Sequence, residues 1–244
     1  MARPVYAVFV AGGSGSRMGS QMPKQFMELR GVPILERSIE RFLDAAPDAV
    51  VVTVLPDKHV STWREICLKR GLSFPQIIVK GGMTRFHSVK NALWRVPDGA
   101  IVSIHDGVRP LVSETLIHRM IGKMQMMEDA SAEVAFGVSA VRPGKAVGLI
   151  PVVPVVDTLR SVAPGVPAPD RNTLVAVQTP QMFLSEVLKK AYNQPYDMSF
   201  TDDASVVEHA GYSVAAVPGE RFNIKITTPD DMKLAELLLR NSSS

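Results

Sequence analysis

With 244 residues, 27 Lys and Arg against 24 Asp and Glu, and a net charge of +3, the chain is long enough for one α/β domain and too weakly basic to bind nucleic acid by charge alone. Its 46% hydrophobic content can supply a single core, and no apolar run approaches the roughly 20 residues that a membrane helix needs. One cysteine, Cys67, excludes an internal disulfide and fits a reduced, cytoplasmic setting.

Arg3 and the apolar run at 5–10 have the outline of a signal peptide, but the run is short and its basic region thin. A first core strand entering a glycine loop accounts for it better. Residues 6–10, 49–55, 76–79 and 100–105 are Val/Ile-rich and nearly continuous, as strands covered on both faces should be. Between them apolar residues recur at helix spacing: Ile34, Leu35, Ile39, Phe42 and Leu43; Trp63, Ile66 and Cys67; Val89, Ala92 and Leu93. This alternation predicts a mostly parallel sheet with helices on both sides.

The second half is less regular. Residues 116–127 read as a helix whose Met120, Met124, Met126 and Met127 fill core. A strand is predicted at 134–138. Residues 142–170 are rich in proline and valine, a poor composition for a central strand, and predict an arm with edge strands around 152–156. Helices are expected at 185–192 and 201–210, and strands at 213–217 and 222–226. Thr228 can cap a last helix that starts at Pro229 and runs to 239. The organisation is one domain over 1–240, with 140–170 as a protruding arm and a disordered tail at 241–244.

The strongest local signal is AGGSGSRMGSQMPKQF at 11–26, directly after the first strand. Gly12, Gly13 and Gly15 let a ligand approach bare backbone N–H groups, which bind anions well. Arg17 and Lys24 follow, with Pro23 stiffening the backbone before the lysine. The loop fits neither a dinucleotide fingerprint, which would need a small residue where Met18 stands, nor a P-loop, which would need Gly-Lys-Ser/Thr.

This loop resembles the sugar-nucleotidyltransferase fold, in particular its cytidylyltransferase branch and the methylerythritol phosphate cytidylyltransferases within it. GGMTRFHSV at 81–89, HDGVRP at 105–110, DRNTLVAVQTPQMF at 170–183, and TDDAS and NIKITTPDD at 201–205 and 223–231 follow in the family's order. The resemblance implies a Rossmann-like, mostly parallel sheet of the nucleotide-diphospho-sugar transferase type, with a β-arm for dimerisation. It implies nucleotidyl transfer: a phosphate oxygen of 2-C-methyl-D-erythritol 4-phosphate attacks the α-phosphate of CTP, and pyrophosphate leaves.

The same resemblance carries roles onto matching residues. Arg17 and Lys24 would stabilise charge at the α-phosphate. Arg171 and Lys225 would orient the acceptor phosphate, with Arg109, Thr158 and Thr179 as further acceptor contacts. Ala11, Gly12, Gly13, Gly15, Gly81, Gly82 and Ser88 would form the nucleotide pocket, Arg85 would support its loop, and Asp106 and Gly107 would lie near the ribose. A divalent cation, Mg²⁺, would bridge the triphosphate with Asp106 as ligand; Asp202 and Asp203 are weaker candidates, because helix capping by Thr201 or Asp202 also explains them. Where many relatives have an acidic residue after the glycine pair, this chain has Met83. The arm would cross to a second subunit and complete its site, so a homodimer is expected, with no nucleic-acid or membrane partner.

His105 reads as a packed strand residue, and His59, His87, His118 and His209 lack metal-ligand spacing. A ribitol-5-phosphate cytidylyltransferase shares the glycine loop, HD-x-x-RP and NIK-TTP; DRN before QTPQ and DTLR in the arm favour the methylerythritol enzyme. An NAD-dependent oxidoreductase lacks support in the missing third glycine, and a non-catalytic nucleotide binder would not need Arg17, Lys24, Asp106, Arg171 and Lys225 together.

Overall fold

The computed structural model describes residues 2–13, 22–127 and 146–241. Gly15, Arg17, Met18 and the strand expected at 134–138 lie outside the described residues, as do 140–145 of the arm and 242–244 of the tail.

The first half alternates as expected: β1 (Val5–Val10), a small β2 (Glu28–Leu29) and β3 (Val32–Pro33) hairpin, α1 (Ile34–Ala45), β4 (Val50–Leu55), α2 (Val60–Arg70), β5 (Gln76–Lys80), α3 (Arg85–Leu93), β6 (Ile101–Asp106) and α4 (Glu114–Met126). The second half holds β7 (Ala146–Pro154), β8 (Val175–Val177), β9 (Gln181–Leu184), α5 (Ser185–Ala191), α6 (Asp203–His209), β10 (Ser213–Pro218) and α7 (Pro229–Asn241). Among the described residues eight strands form one sheet in the order β10-β7-β9-β6-β1-β4-β5, with β8 beside β7. β6, β1, β4 and β5 run parallel, as do β7 and β10, while β9 lies antiparallel between β6 and β7.

Both faces of this sheet are covered. Ala7, Phe9, Val51 and Leu55 face one way, toward Ile39 and Phe42 of α1, Trp63 of α2 and Met120 of α4. The intervening Val8, Val52 and Val54 face the other way, toward Val89 of α3, Leu188 of α5 and Val207 of α6. The period of two along each strand thus feeds two cores, which is why the strands read as continuous apolar runs. Gly71, with φ 64°, closes α2 in a left-handed turn.

Five expectations are corrected. The proline-rich stretch is no edge: β7 sits between β10 and β9, with Ala146, Leu149 and Val152 buried. Pro151 is tolerated there because β7 changes partners at it, and Pro154 because it ends the strand. The strand pairs with β9 at Gly148 and Leu149 and with β8 from Val152 to Pro154, so Pro151 stands at the gap between two ladders. The arm therefore begins only past β7, and its exposed part is residues 156–173. Residues 222–226 form no strand. They run beside the loop after β6 with one backbone bond, Ile226 N–H to Val108 C=O at 2.9 Å, and one bond makes no ladder. Finally, α7 extends through Asn241, and Met126 is exposed while Met120, Met124 and Met127 are buried.

Candidate active site

The carboxyl ends of β1, β4, β5 and β6 meet at one edge of the sheet, where open α/β folds place their ligands. Backbone bonds carry the order past the strand ends: Ala11 N–H to Val54 C=O at 3.0 Å, Gly81 N–H to Leu55 C=O at 2.8 Å, and Gly107 N–H to Val10 C=O at 3.0 Å. A cavity of about 350 Å³ opens there, lined by Ala11, Gly12, Gly13, Gly81, Gly82, Arg85 and Ser88 together with Lys24, Asp106 and Lys225. Ten of the residues expected at the site are thus brought together. Leu55, Pro56 and Val108 add apolar wall, and Met83 stands at the rim, 96% exposed.

The lower wall comes from a short 3₁₀ turn, Lys24–Phe26, which Pro23 enters at φ −55°. Phe26 anchors the turn by stacking on Trp63 at 5.9 Å between centroids. That seats the Lys24 stem across Gly13, where a Cβ would lie 3.4 Å from Lys24 Cε, and its ammonium 3.3 Å from the Ile226 carbonyl. The neighbouring Gln25 is fully buried and donates to the Ala11 carbonyl at 2.9 Å, tying the turn to the glycine loop.

The opposite wall is the Gly81–Gly82 loop. The Ser88 hydroxyl accepts from Gly82 N–H at 3.0 Å and donates to the Thr84 carbonyl at 2.9 Å, so it holds the loop from behind. A Cβ on Gly82 would stand 2.3 Å from His87 Cβ and 2.9 Å from its backbone carbonyl carbon, so only glycine fits. Thr84 caps α3 by accepting from His87 N–H.

Asp106 ends β6 at the floor. Its Oδ2 lies 3.1 Å from Lys225 Nζ and 3.2 Å from Arg109 Nε. Burial alone would raise the pKa of this carboxyl, but Lys225, Arg85 and Arg109 overcome it and hold the group far below the ordinary carboxylate value. Asp106 is therefore a fixed negative charge and no proton carrier near neutrality. Arg109 is turned inward, 11% exposed, and also donates to the Asn223 carbonyl at 2.7 Å, whereas Lys225 is 43% exposed and lines the cavity. Gly107 packs beneath the site, where a Cβ would meet Leu35 Cδ1 at 2.8 Å.

Thr179 is buried under the same floor. Its hydroxyl oxygen accepts from Asp106 N–H at 3.0 Å and lies 3.0 Å from His105 Nδ1. His105 Nε2 is 3.2 Å from the Arg109 carbonyl, which can only accept, so Nε2 carries the proton and Nδ1 accepts from Thr179. Burial, with the nearby Arg109 charge, lowers the His105 pKa to about 4 against the pull of Asp106, so the ring is neutral. His105 is the packed strand residue that was expected, set edge-on to Phe9 at 5.7 Å. Thr179, expected as an acceptor contact, has its hydroxyl engaged inside the fold.

Arg171 and Thr158 do not line the cavity. Both are exposed on the arm, and Arg171 donates to the Val156 carbonyl at 2.9 Å. Asp202 and Asp203 are accounted for without a metal. Asp202 caps α6 in a capping box with Ser205, and Asp203 is buried against Arg85. Among the described residues no group of three or more His, Cys, Asp or Glu could hold a metal ion. Among the described residues Asp106 is the single carboxylate lining the cavity, which suits a cation whose remaining ligands are phosphate oxygens and water.

Sequence reasoning missed the polar residues that brace the floor. Gln178 donates to the Glu220 carbonyl at 2.7 Å, Asn223 Nδ2 donates to the Thr179 carbonyl at 2.8 Å, and Glu220 takes both the backbone N–H and the hydroxyl of Ser113 at the head of α4. This bracing carries Lys225 to Asp106. The available signal was position, since Gln25, Gln178 and Asn223 each sit within two residues of Lys24, Thr179 or Lys225.

The family model of 2-C-methyl-D-erythritol 4-phosphate cytidylyltransferase matches residues 5–144 and 130–241. A protein of that name from Porphyromonas gingivalis is 47% identical over 236 residues, covering 96% of this chain and 97% of its own, and one from Bacteroides fragilis is 45% identical over 234 residues, covering 96% and 98%. The crystal structure of the Francisella tularensis 2-C-methyl-D-erythritol 4-phosphate cytidylyltransferase superposes with a TM-score of 0.73 at 26% identity, over 96% of this chain and 99% of that one. The chain belongs to the 2-C-methyl-D-erythritol 4-phosphate cytidylyltransferase family.

Proposed function

We infer that the chain is a cytidylyltransferase that transfers CMP from CTP to 2-C-methyl-D-erythritol 4-phosphate, releasing pyrophosphate, in isoprenoid precursor synthesis. The observation that carries this is the cavity itself, in which Lys24, Lys225 and the carboxylate of Asp106 line one space with the glycines of two loops.

The acceptor's phosphate monoester is already largely dianionic near neutrality, so its oxygen can attack without a general base. Accordingly His105 is neutral and buried and Asp106 stays charged. Catalysis is then positioning and charge stabilisation. Lys24, with Arg17, meets the charge that gathers on the α-phosphate; Lys225, with Arg171, brings the acceptor phosphate in line behind it. Backbone groups of the Ala11–Gly13 and Gly81–Gly82 loops read the cytosine edge. A magnesium ion would neutralise the triphosphate and the departing pyrophosphate, and Asp106 is the residue that would hold it.

The working unit is a homodimer in which the arm of one chain reaches the other's cavity. The exposed Val156, Val162 and Val166 on the arm support this, since such apolar surface is usually covered. So does the placement of Arg171 and Thr158 away from the cavity of their own chain. A cytoplasmic setting is proposed on the single Cys67; among the described residues no helix is long and apolar enough to cross a membrane. Phosphorus NMR of the reaction mixture tests the chemistry: one phosphoanhydride product and free pyrophosphate should appear together. CMP with an unchanged acceptor signal would instead mean hydrolysis and overturn the assignment.

A further inference from the structure

Arg85 opens α3 and lines the cavity, yet its guanidinium is anchored from behind. Nη2 lies 2.5 Å from Asp203 Oδ2. Asp203 has no exposure at all, and its other oxygen, Oδ1, accepts from the Tyr192 hydroxyl at 2.6 Å. Tyr192 is as deeply buried, does not itself line the cavity, and stacks on Phe86, the residue after Arg85, at 4.7 Å and 20° between rings.

A buried carboxylate is costly unless it is paired, and it is weak evidence for stability as such. Here α6 does not need it for docking. Ala204, Val206 and Val207 already pack in the core, and Gln181 Oε1 accepts from both Asp203 N–H and Ala204 N–H at 3.1 Å. What the carboxylate does uniquely is join one cavity residue to one phenol. A guanidinium is a planar fork, so anchoring one nitrogen restricts where its other N–H groups can point.

We propose that Asp203 and Tyr192 are positioning residues that hold the Arg85 guanidinium in register for a phosphate or ribose oxygen of the nucleotide. This rests on the reading of the cavity as a CTP site. In that reading Lys225, paired with Asp106, serves the acceptor phosphate, so the relay through Arg85 is expected to act on the nucleotide.

The test is Tyr192→Phe, which keeps the ring stack and removes only the hydroxyl. The expected result is a rise of about 3- to 10-fold in the CTP dissociation constant by calorimetry, the worth of one buried hydrogen bond. KM for CTP should rise in step, with kcat within about twofold and the acceptor KM unchanged. In an Arg85→Ala background the same substitution should have no further effect on CTP binding. Asp203→Asn is the second arm and should show the same dependence on Arg85, with melting temperatures separating loss of fold from loss of position. An unchanged CTP dissociation constant in Tyr192→Phe, or an equal rise with and without Arg85, would overturn the proposal. A wild-type protein that binds CTP but releases no pyrophosphate would sink the catalytic reading and leave this one standing.

Discussion

Lys225 Nζ sits 3.1 Å from Asp106 Oδ2, so a half-exposed ammonium is tethered at the floor of the cavity by a carboxylate that Arg109 shares. The tether is what makes Lys225 a placed charge rather than a mobile one. Lys225→Met should raise the acceptor KM about 10- to 100-fold, the worth of a hydrogen bond between charged groups, and change the CTP KM far less. Steady-state kinetics with each substrate varied in turn decides it. Equal effects on the two constants would remove Lys225 from the acceptor side.

Lys24 is held by its stem against Gly13 and by its head near the Ile226 carbonyl. A charge so confined is organised before the transition state forms, and such groups act on turnover more than on ground-state binding. Lys24→Ala should lower kcat by about 100-fold or more while the CTP dissociation constant moves less than about tenfold. Unchanged turnover would contradict the role given to this residue.

The neutral, buried His105 makes stability depend on pH. In the unfolded chain its imidazole takes a proton near pH 6.5, but in the native state it resists until about pH 4. Between those values the unfolded state binds more protons, so the native state loses stability as pH falls. Relative to His105→Phe, which cannot titrate, the wild type should lose up to about 3 kcal/mol between pH 7.5 and pH 4.5. Urea unfolding of both proteins at three pH values measures it, and parallel curves would contradict the buried neutral tautomer.

If the arm serves the partner's cavity, Lys24 and Arg171 of one site come from different chains. Lys24→Ala and Arg171→Ala should then each be inactive alone, and mixing them after dissociation should restore about a quarter of wild-type activity, through the one intact site of each mixed dimer. No recovery from a mixture shown to contain mixed dimers would place Arg171 in its own chain's site or in none.

The first half of the fold was legible because its strands are covered on both faces and its helices on one, so apolar runs and helical spacing separated cleanly. β7 was not. Its prolines spoke against a central strand, and only the change of partner at Pro151, invisible without the neighbouring strands, makes them harmless. Residues 222–226 have the composition of a strand but are bonded to the loop after β6 through a single backbone contact, a tertiary matter. At the site, the residues that touch the cavity lay in recognisable motifs. What the motifs did not tell was which side chains face the ligand and which face inward. Thr179 and Arg109 face inward and hold loops in place, Ser88 braces its loop while also lining the cavity, and Asp203 turned from a candidate metal ligand into the anchor of Arg85.

The most direct measurement is the initial rate of pyrophosphate release from CTP and Mg²⁺ with 2-C-methyl-D-erythritol 4-phosphate and, in parallel, with ribitol 5-phosphate. Release is expected with the methylerythritol phosphate and little or none with the ribitol phosphate. Release with ribitol 5-phosphate alone would keep the chemistry and overturn the substrate, and release with neither would contradict the central claim.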